Sequence, residues 1–204
     1  MSPKFASAKR RSRAARQKSS PRQRILAVAQ DLFYRRGVRA VGVDAIAHAA
    51  GSTKMTLYRH FPSKDALTTE WLRIEAEAFE KDWETIAKAH RGDARGQLLA
   101  WLRYLGEFLL QPDGRGCAIA NASIEITEED HPARPLIQQV KTAQRERLGN
   151  LCREGGYIDP ERLADELFLL FEGARVSIQS VGVNGPASRL GGLVKAIIDT
   201  HLPV

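Results

Sequence analysis

Between Ala50 and Lys54 only three residues, Gly51-Ser52-Thr53, are available to turn the chain from one helix-patterned segment into another. Val43, Ile46, Ala47 and Ala50 recur at helical spacing before this turn, and Leu57, Tyr58 and Phe61 recur after it. Gly51 can take the left-handed conformation that ends a helix, Thr53 is placed to cap the next one, and Pro62 stops it. Two short helices joined by a three-residue, glycine-containing turn form a helix-turn-helix. Neither is long enough to stand alone, so a third element must cover them. Ser20-Pro21-Arg22-Gln23 supplies its start: an N-cap, a first-turn proline and the reciprocal partner of a capping box. Ile25, Leu26, Ala29, Leu32 and Phe33 then repeat on one face until Gly37. The expectation is a three-helix head over residues 20–64, with Ser63 capping the helix that follows.

Helical patterning continues through the rest of the 204 residues. Segments at 65–89, 94–111, 117–127, about 136–154, 160–181 and 186–201 each carry an apolar stripe bounded by Gly or Pro, and no strand-length alternation competes. The fold expected is all-α: the head joined to a larger helical bundle over 65–204, about nine helices in total. No apolar run approaches the roughly 18 residues of a membrane helix. Two cysteines, Cys117 and Cys152, are too few for a disulfide scaffold or a four-cysteine zinc site. Both sit in apolar settings suited to buried structural thiols, with a thiol sensor as the alternative.

Charge is unevenly spread. Residues 1–24 hold nine Lys and Arg and no acid, and through Lys64 the count is fifteen basic residues against two acids. The whole chain carries +7, so the remainder is net acidic. A basic front on an acidic rear points to a module that binds a polyanion, fused to something else. Residues 1–19 show no apolar stripe and read as a disordered basic arm, with Arg10, Arg11 and Arg13 candidates for DNA. The basic start is followed by no apolar stretch of the secretory kind, so a cytoplasmic, nucleoid-associated protein is expected.

The strings ILAVAQDLFYRRG at 25–37, DAIAHAAG at 44–51 and TLYRHFPSKDAL at 56–67 resemble the TetR family of transcriptional regulators. The last, with Tyr58, His60, Phe61 and Lys64 at those spacings, is the specific part. The resemblance implies a recognition helix whose N-terminal residues enter a major groove about 12 Å wide. Lys54, Met55, Thr56 and Arg59 are then candidates for base edges, and Tyr58, His60 and Lys64 for phosphates. His60 reads equally well as a packing residue. Three positions depart from the family pattern: Gly42 caps the second helix without a hydroxyl, Ser52 lies in the turn, and Met55 is large.

The resemblance also implies a twofold dimer matched to a palindrome and a small-molecule effector. Leu163, Leu167, Leu170 and Ala174 repeat on one late helix, and Leu190, Leu193, Val194 and Ile197 on the next. They are the candidate dimerisation residues, with a purely internal core as the competing reading. Candidate effector contacts are Trp71, Trp101, Tyr104, Phe108, Cys117 and Asn121, and, further on, Phe168, Glu172 and Arg175. Polar groups inside apolar stretches carry most information, because burial demands partners. Asn121, Glu125, Glu172 and Arg175 qualify, although a mutual ion pair or solvent explains the last two equally well.

Catalysis finds little support. Glu128-Glu129-Asp130-His131 holds a single Glu-x-x-His, and Pro132 and Pro135 place it in a loop, whereas di-iron bundles use two such motifs on facing helices. There is no phosphate-cradling glycine motif, nucleophile elbow or zinc spacing. The expected function is a ligand-responsive repressor that binds double-stranded DNA as a homodimer, with no cofactor, metal or membrane partner. The alternative is a DNA organiser with little sequence preference and no effector.

Overall fold

The computed structural model describes residues 19–111 and 114–203. The arm residues Arg10, Arg11 and Arg13 lie outside the described residues. Among these, every regular element is helical: α1 (Pro21–Arg36), α2 (Val43–Ala49), α3 (Lys54–His60), α4 (Lys64–Ala89), α5 (Ala94–Leu109), α6 (Ala118–Glu125), α7 (Arg134–Glu154), α8 (Pro160–Val181), a 3-10 turn (Pro186–Arg189) and α9 (Leu190–Thr200). The chain divides into two compact units. The first holds the described residues through Ala78 together with Ala118–Gln138; the second holds Phe79–Cys117 and Gln139 onward.

Local chemistry explains the first unit's elements. Ser20 Oγ accepts from Gln23 N while Gln23 Oε1 accepts from Ser20 N, which closes the capping box at α1. Gly37, at φ +87°, ends α1 by donating its N–H to Phe33 O. Gly51 takes φ +59° in the turn, and Thr53 Oγ1 accepts from Thr56 N at the start of α3. Gly42 caps α2 with no side-chain bond. Ser63 Oγ accepts from Ala66 N at the start of α4. Ile25, Ala29, Phe33, Ile46, Leu57, Leu67 and Trp71 are fully or almost fully buried, with the Phe33 and Trp71 rings 5.4 Å apart. Trp71 is therefore a core residue of this unit.

The second unit has its own core. Leu98, Leu102 and Leu109 of α5 are buried, as are Leu148 and Cys152 of α7, Leu163, Leu167 and Phe171 of α8, and Leu190 and Ile198 of α9. Asp159 enters the left-handed region at φ 47° and Pro160 opens α8. One expectation is corrected here: Pro186 opens a single 3-10 turn, and the α-helix begins at Leu190. The cause is local. Gly185 O is taken by both the N–H and the hydroxyl of Ser188, a three-residue closure that occupies the acceptor an α-helix would need. No helix among the described residues is long and apolar enough to cross a membrane.

Candidate nucleic-acid interface and a small cavity

Helix α3 buries one face and displays the other. Leu57 is 0% exposed, whereas Met55 on the first turn is 83% exposed, with Lys54, Tyr58 and Arg59 also at the surface. Thr56 is half-buried and held by Thr53, whose hydroxyl donates to it at 3.0 Å. Lys54 Nζ lies 3.1 Å from Asp44 Oδ2 of α2. Exposed pairs of this kind contribute about 0–1 kcal/mol, so Asp44 orients Lys54 without locking it away from another acceptor.

Two of the expected phosphate contacts, His60 and Lys64, are less exposed than Lys54, Tyr58 and Arg59. His60 is half-buried, and its Nε2 is enclosed without a hydrogen-bond partner, so that edge is not presented to a phosphate. Lys64 is half-buried and lines a polar cleft of about 270 Å³ with Arg39, Asp65, Glu125, Glu128 and His131.

The same cleft contains a clasp within the first unit. Arg39 N donates to Glu125 Oε2 at 3.1 Å, and Arg39 Nη2 donates to Thr127 Oγ1 at 2.6 Å and to Glu128 Oε1 at 2.9 Å. The loop after α1 is thereby tied to the segment after α6. Glu128's own backbone N–H, followed by the Arg39 guanidinium, holds its carboxyl below the usual range. His131 is buried; its Nδ1 accepts from Ala133 N at 3.1 Å, which puts the proton of the neutral ring on Nε2, 3.4 Å from Asp65 Oδ1. The Glu-x-x-His sequence thus serves loop geometry. Among the described residues, no three His, Cys, Asp or Glu side chains converge to hold a metal.

The second unit holds a small, partly open cavity of about 20 Å³, the space of about one water. Four aromatic residues, Phe79, Trp101, Phe168 and Phe171, contribute to its wall. Trp101 meets Phe79 and Trp83 edge-on, both at 4.9 Å, and stacks on Tyr104 at 5.1 Å. The Tyr104 hydroxyl donates to Asp82, and burial, then this bond, pushes its ionisation well up. Phe168 and Phe171 close the α8 side. The polar part is Arg175, only 6% exposed, whose Nη1 donates to Glu172 Oε1 at 2.7 Å. Lys141 Nζ donates to the same oxygen at 2.7 Å. Arg175 Nε is buried without a partner, a loss that costs about 1–3 kcal/mol. Cys152 is 0% exposed, and burial pushes its thiol up to about 12, which leaves it protonated and unreactive near neutrality.

The family model described as bacterial regulatory proteins, tetR family, matches residues 25–70, from α1 into α4. A TetR-type transcriptional regulator of known structure from Streptomyces avermitilis is 30% identical, with 90% of this chain and 98% of that one covered at a TM-score of 0.74. The chain belongs to the TetR family. Over the head, an HTH-type transcriptional regulator from Mycobacterium tuberculosis is 40% identical across 62 residues, and that alignment spans 31% of its length. The HTH-type transcriptional repressor DhaR of Mycobacterium sp. strain GP1 is 27% identical over 163 residues, with 75% of this chain and 79% of that protein covered.

Within this TetR-family chain the expected residues fall into distinct places. Of the candidate effector contacts, Trp101, Phe168, Glu172 and Arg175 line the cavity. Tyr104 and Phe108 form a stacked pair next to Trp101, and Cys117 is buried. Trp71 and Asn121 belong to the first unit and do not line it. The expected dimerisation residues divide by exposure. Leu163, Leu167, Ala174 and Leu190 are buried within the single chain. Leu193 is 47% exposed, Leu170, Val194 and Ile197 are partly covered, and α8 leaves Leu169 and Val176 uncovered on a face not considered from sequence. Asp44, Arg39 and Lys141 were missed. For Lys141 a signal existed: with Gln144 and Leu148 it falls on one helical face, and the latter two line the cavity.

Proposed function

We propose that this chain is a transcriptional repressor that binds a palindromic operator as a homodimer and leaves it when a small molecule occupies the second unit. The observation that supports DNA reading is Met55: a large apolar side chain, 83% exposed, on the first turn of a seven-residue helix whose other face is core. Burial of such a residue waits for a groove, and a thymine methyl is a fitting contact. Around it, Lys54 and Arg59 supply donors for base edges and Tyr58 a hydroxyl for a phosphate.

In this reading residues 20–64 bind DNA, residues 65–204 bind effector and partner, and the arm at 1–19 adds phosphate contacts. The complex would sit on the nucleoid and perform no catalytic step. Occupancy of a promoter blocks polymerase. Release requires that the effector favour a DNA-incompetent arrangement, because a ligand indifferent to both arrangements shifts nothing.

A binding-site library read at fixed salt tests this. The chain should prefer one palindrome over random DNA by about a thousandfold or more. Lys54→Met should relax the preference, costing about 1–3 kcal/mol on the best site. Lys64→Met should weaken all sequences alike. A flat library profile would instead favour an organiser of DNA without an operator.

A further inference from the structure

The polar side of the second unit's cavity is unevenly paired. One carboxylate, Glu172, is shared by two cations, Lys141 and Arg175, through a single oxygen, Oε1. Lys141 also lies over the Phe168 ring, its Nζ 5.7 Å from the centroid. The next ion pair along α7, Arg147 with Glu80, is balanced. At Glu172 two cations thus meet one carboxylate, while the other carboxylate beside the aromatic rings, Asp82, accepts from the Tyr104 hydroxyl.

The geometry of Arg175 says which donor is left over. Glu172 occupies Nη1, and Nε, on the guanidinium's other edge, is enclosed with no hydrogen-bond partner among the described residues. That edge is the one with which a guanidinium holds a carboxylate by two parallel hydrogen bonds. It belongs to a side chain 6% exposed on a residue that lines the cavity together with Phe79, Trp101, Phe168 and Phe171, with Nε itself closed over by neighbouring atoms. Buried donors are otherwise almost always paired, so this one marks a place kept for an acceptor.

We infer that the second unit binds an aromatic monocarboxylate, its acid group on the Nε edge of Arg175 and its ring among Phe79, Trp101 and Phe168. This deepens the proposed function and rests on that reading for its regulatory meaning. With room for about one water, the cavity must widen to admit the ring. The acid competes with Glu172 for Arg175, so entry loosens the link between those two positions of α8.

The test uses the full chain and three isosteric probes: benzoate, benzamide and benzylammonium. Binding is read by calorimetry and by emission of the tryptophans, two of which, Trp83 and Trp101, adjoin the site. Benzoate should bind at least tenfold more tightly than the amide, and the amine not at all. Glu172→Gln should tighten benzoate severalfold by removing its competitor, a gain that a merely structural role does not produce. Arg175→Gln should erase the preference of acid over amide. The wild-type comparison of probes needs no variant and stands even if Arg175→Gln fails to fold. Equal binding of acid and amide, preference for the amine, weaker benzoate binding in Glu172→Gln, or no binding of any probe at millimolar concentration overturns the inference. Operator release is measured separately. Benzoate binding without release keeps this site and removes the effector-driven part of the proposed function.

Discussion

A Cβ placed on Gly37 would stand 2.6 Å from Oε1 of Glu125, and the backbone there is at φ +87°. Glu125 is the acceptor for Arg39 N, so it cannot swing aside without losing that bond. Gly37→Ala should therefore cost about 1–3 kcal/mol from backbone conformation alone and lower the thermal midpoint by several degrees. Adding Glu125→Ala should restore only part of the loss, because it removes the clash and leaves φ unchanged. Full restoration in the double variant would show that φ is not the dominant cost.

Glu75 gives a pH-dependent prediction. Its Oε1 accepts from Trp71 Nε1 at 3.1 Å, and burial raises its ionisation above the ordinary 4.5, with the Trp71 bond opposing. A carboxyl whose folded value is raised contributes its full stability below about 4.5 and loses it as pH rises through the folded value. Glu75→Gln keeps an acceptor for Trp71 and removes the charge. It should be stabilising at pH 7 and close to neutral at pH 4, as measured by urea unfolding at both values. The same difference at both pH values would remove desolvation as the cause.

For association, Leu193 and Leu190 separate the two uses of α9. Leu193 is 47% exposed and Leu190 is 2% exposed. Leu193→Asp should convert dimer to monomer in sedimentation with helical content intact, since the lone chain leaves the new charge in water. Leu190→Asp should unfold the second unit, because it buries that charge unpaired. Dimer retained in Leu193→Asp would move the interface elsewhere.

The arm is tested by deletion of residues 1–19. If roughly three charges per arm displace counterions, two arms contribute about five units to the slope of log affinity against log salt. The truncated chain should show that much less slope, weaker binding to specific and random DNA alike, and an unchanged thermal midpoint. An unchanged slope would make the arm a spectator.

Much of the head was legible because its signals are local. Ser20 with Gln23, Gly37, Gly51, Thr53 and Ser63 each act within a few residues of their own position, and the structure shows them acting so. The Arg39 clasp spans 86 to 89 positions in sequence, and nothing near Arg39 announces its partners. The late helices were legible as helices but not as faces. Periodicity shows that Leu163 and Leu167 lie on an apolar stripe, and both an internal core and a dimer produce such a stripe. The cavity fell between these cases: Glu172 and Arg175 stood out as polar residues in apolar surroundings, while Lys141, which shares their charge, was hidden in an ordinary amphipathic stretch.

Helix α3 has seven residues, and a helix of that length does not persist in water by itself. Its shape is on loan from Leu57, which is fully buried, as are Ile46 and, nearly so, Phe33 in the same unit. Any change that loosens that core, however far from DNA, must dilute the population able to dock, and apparent affinity falls by that same fraction. A thermometer and a footprint would then trace one curve: as the head melts, the operator empties.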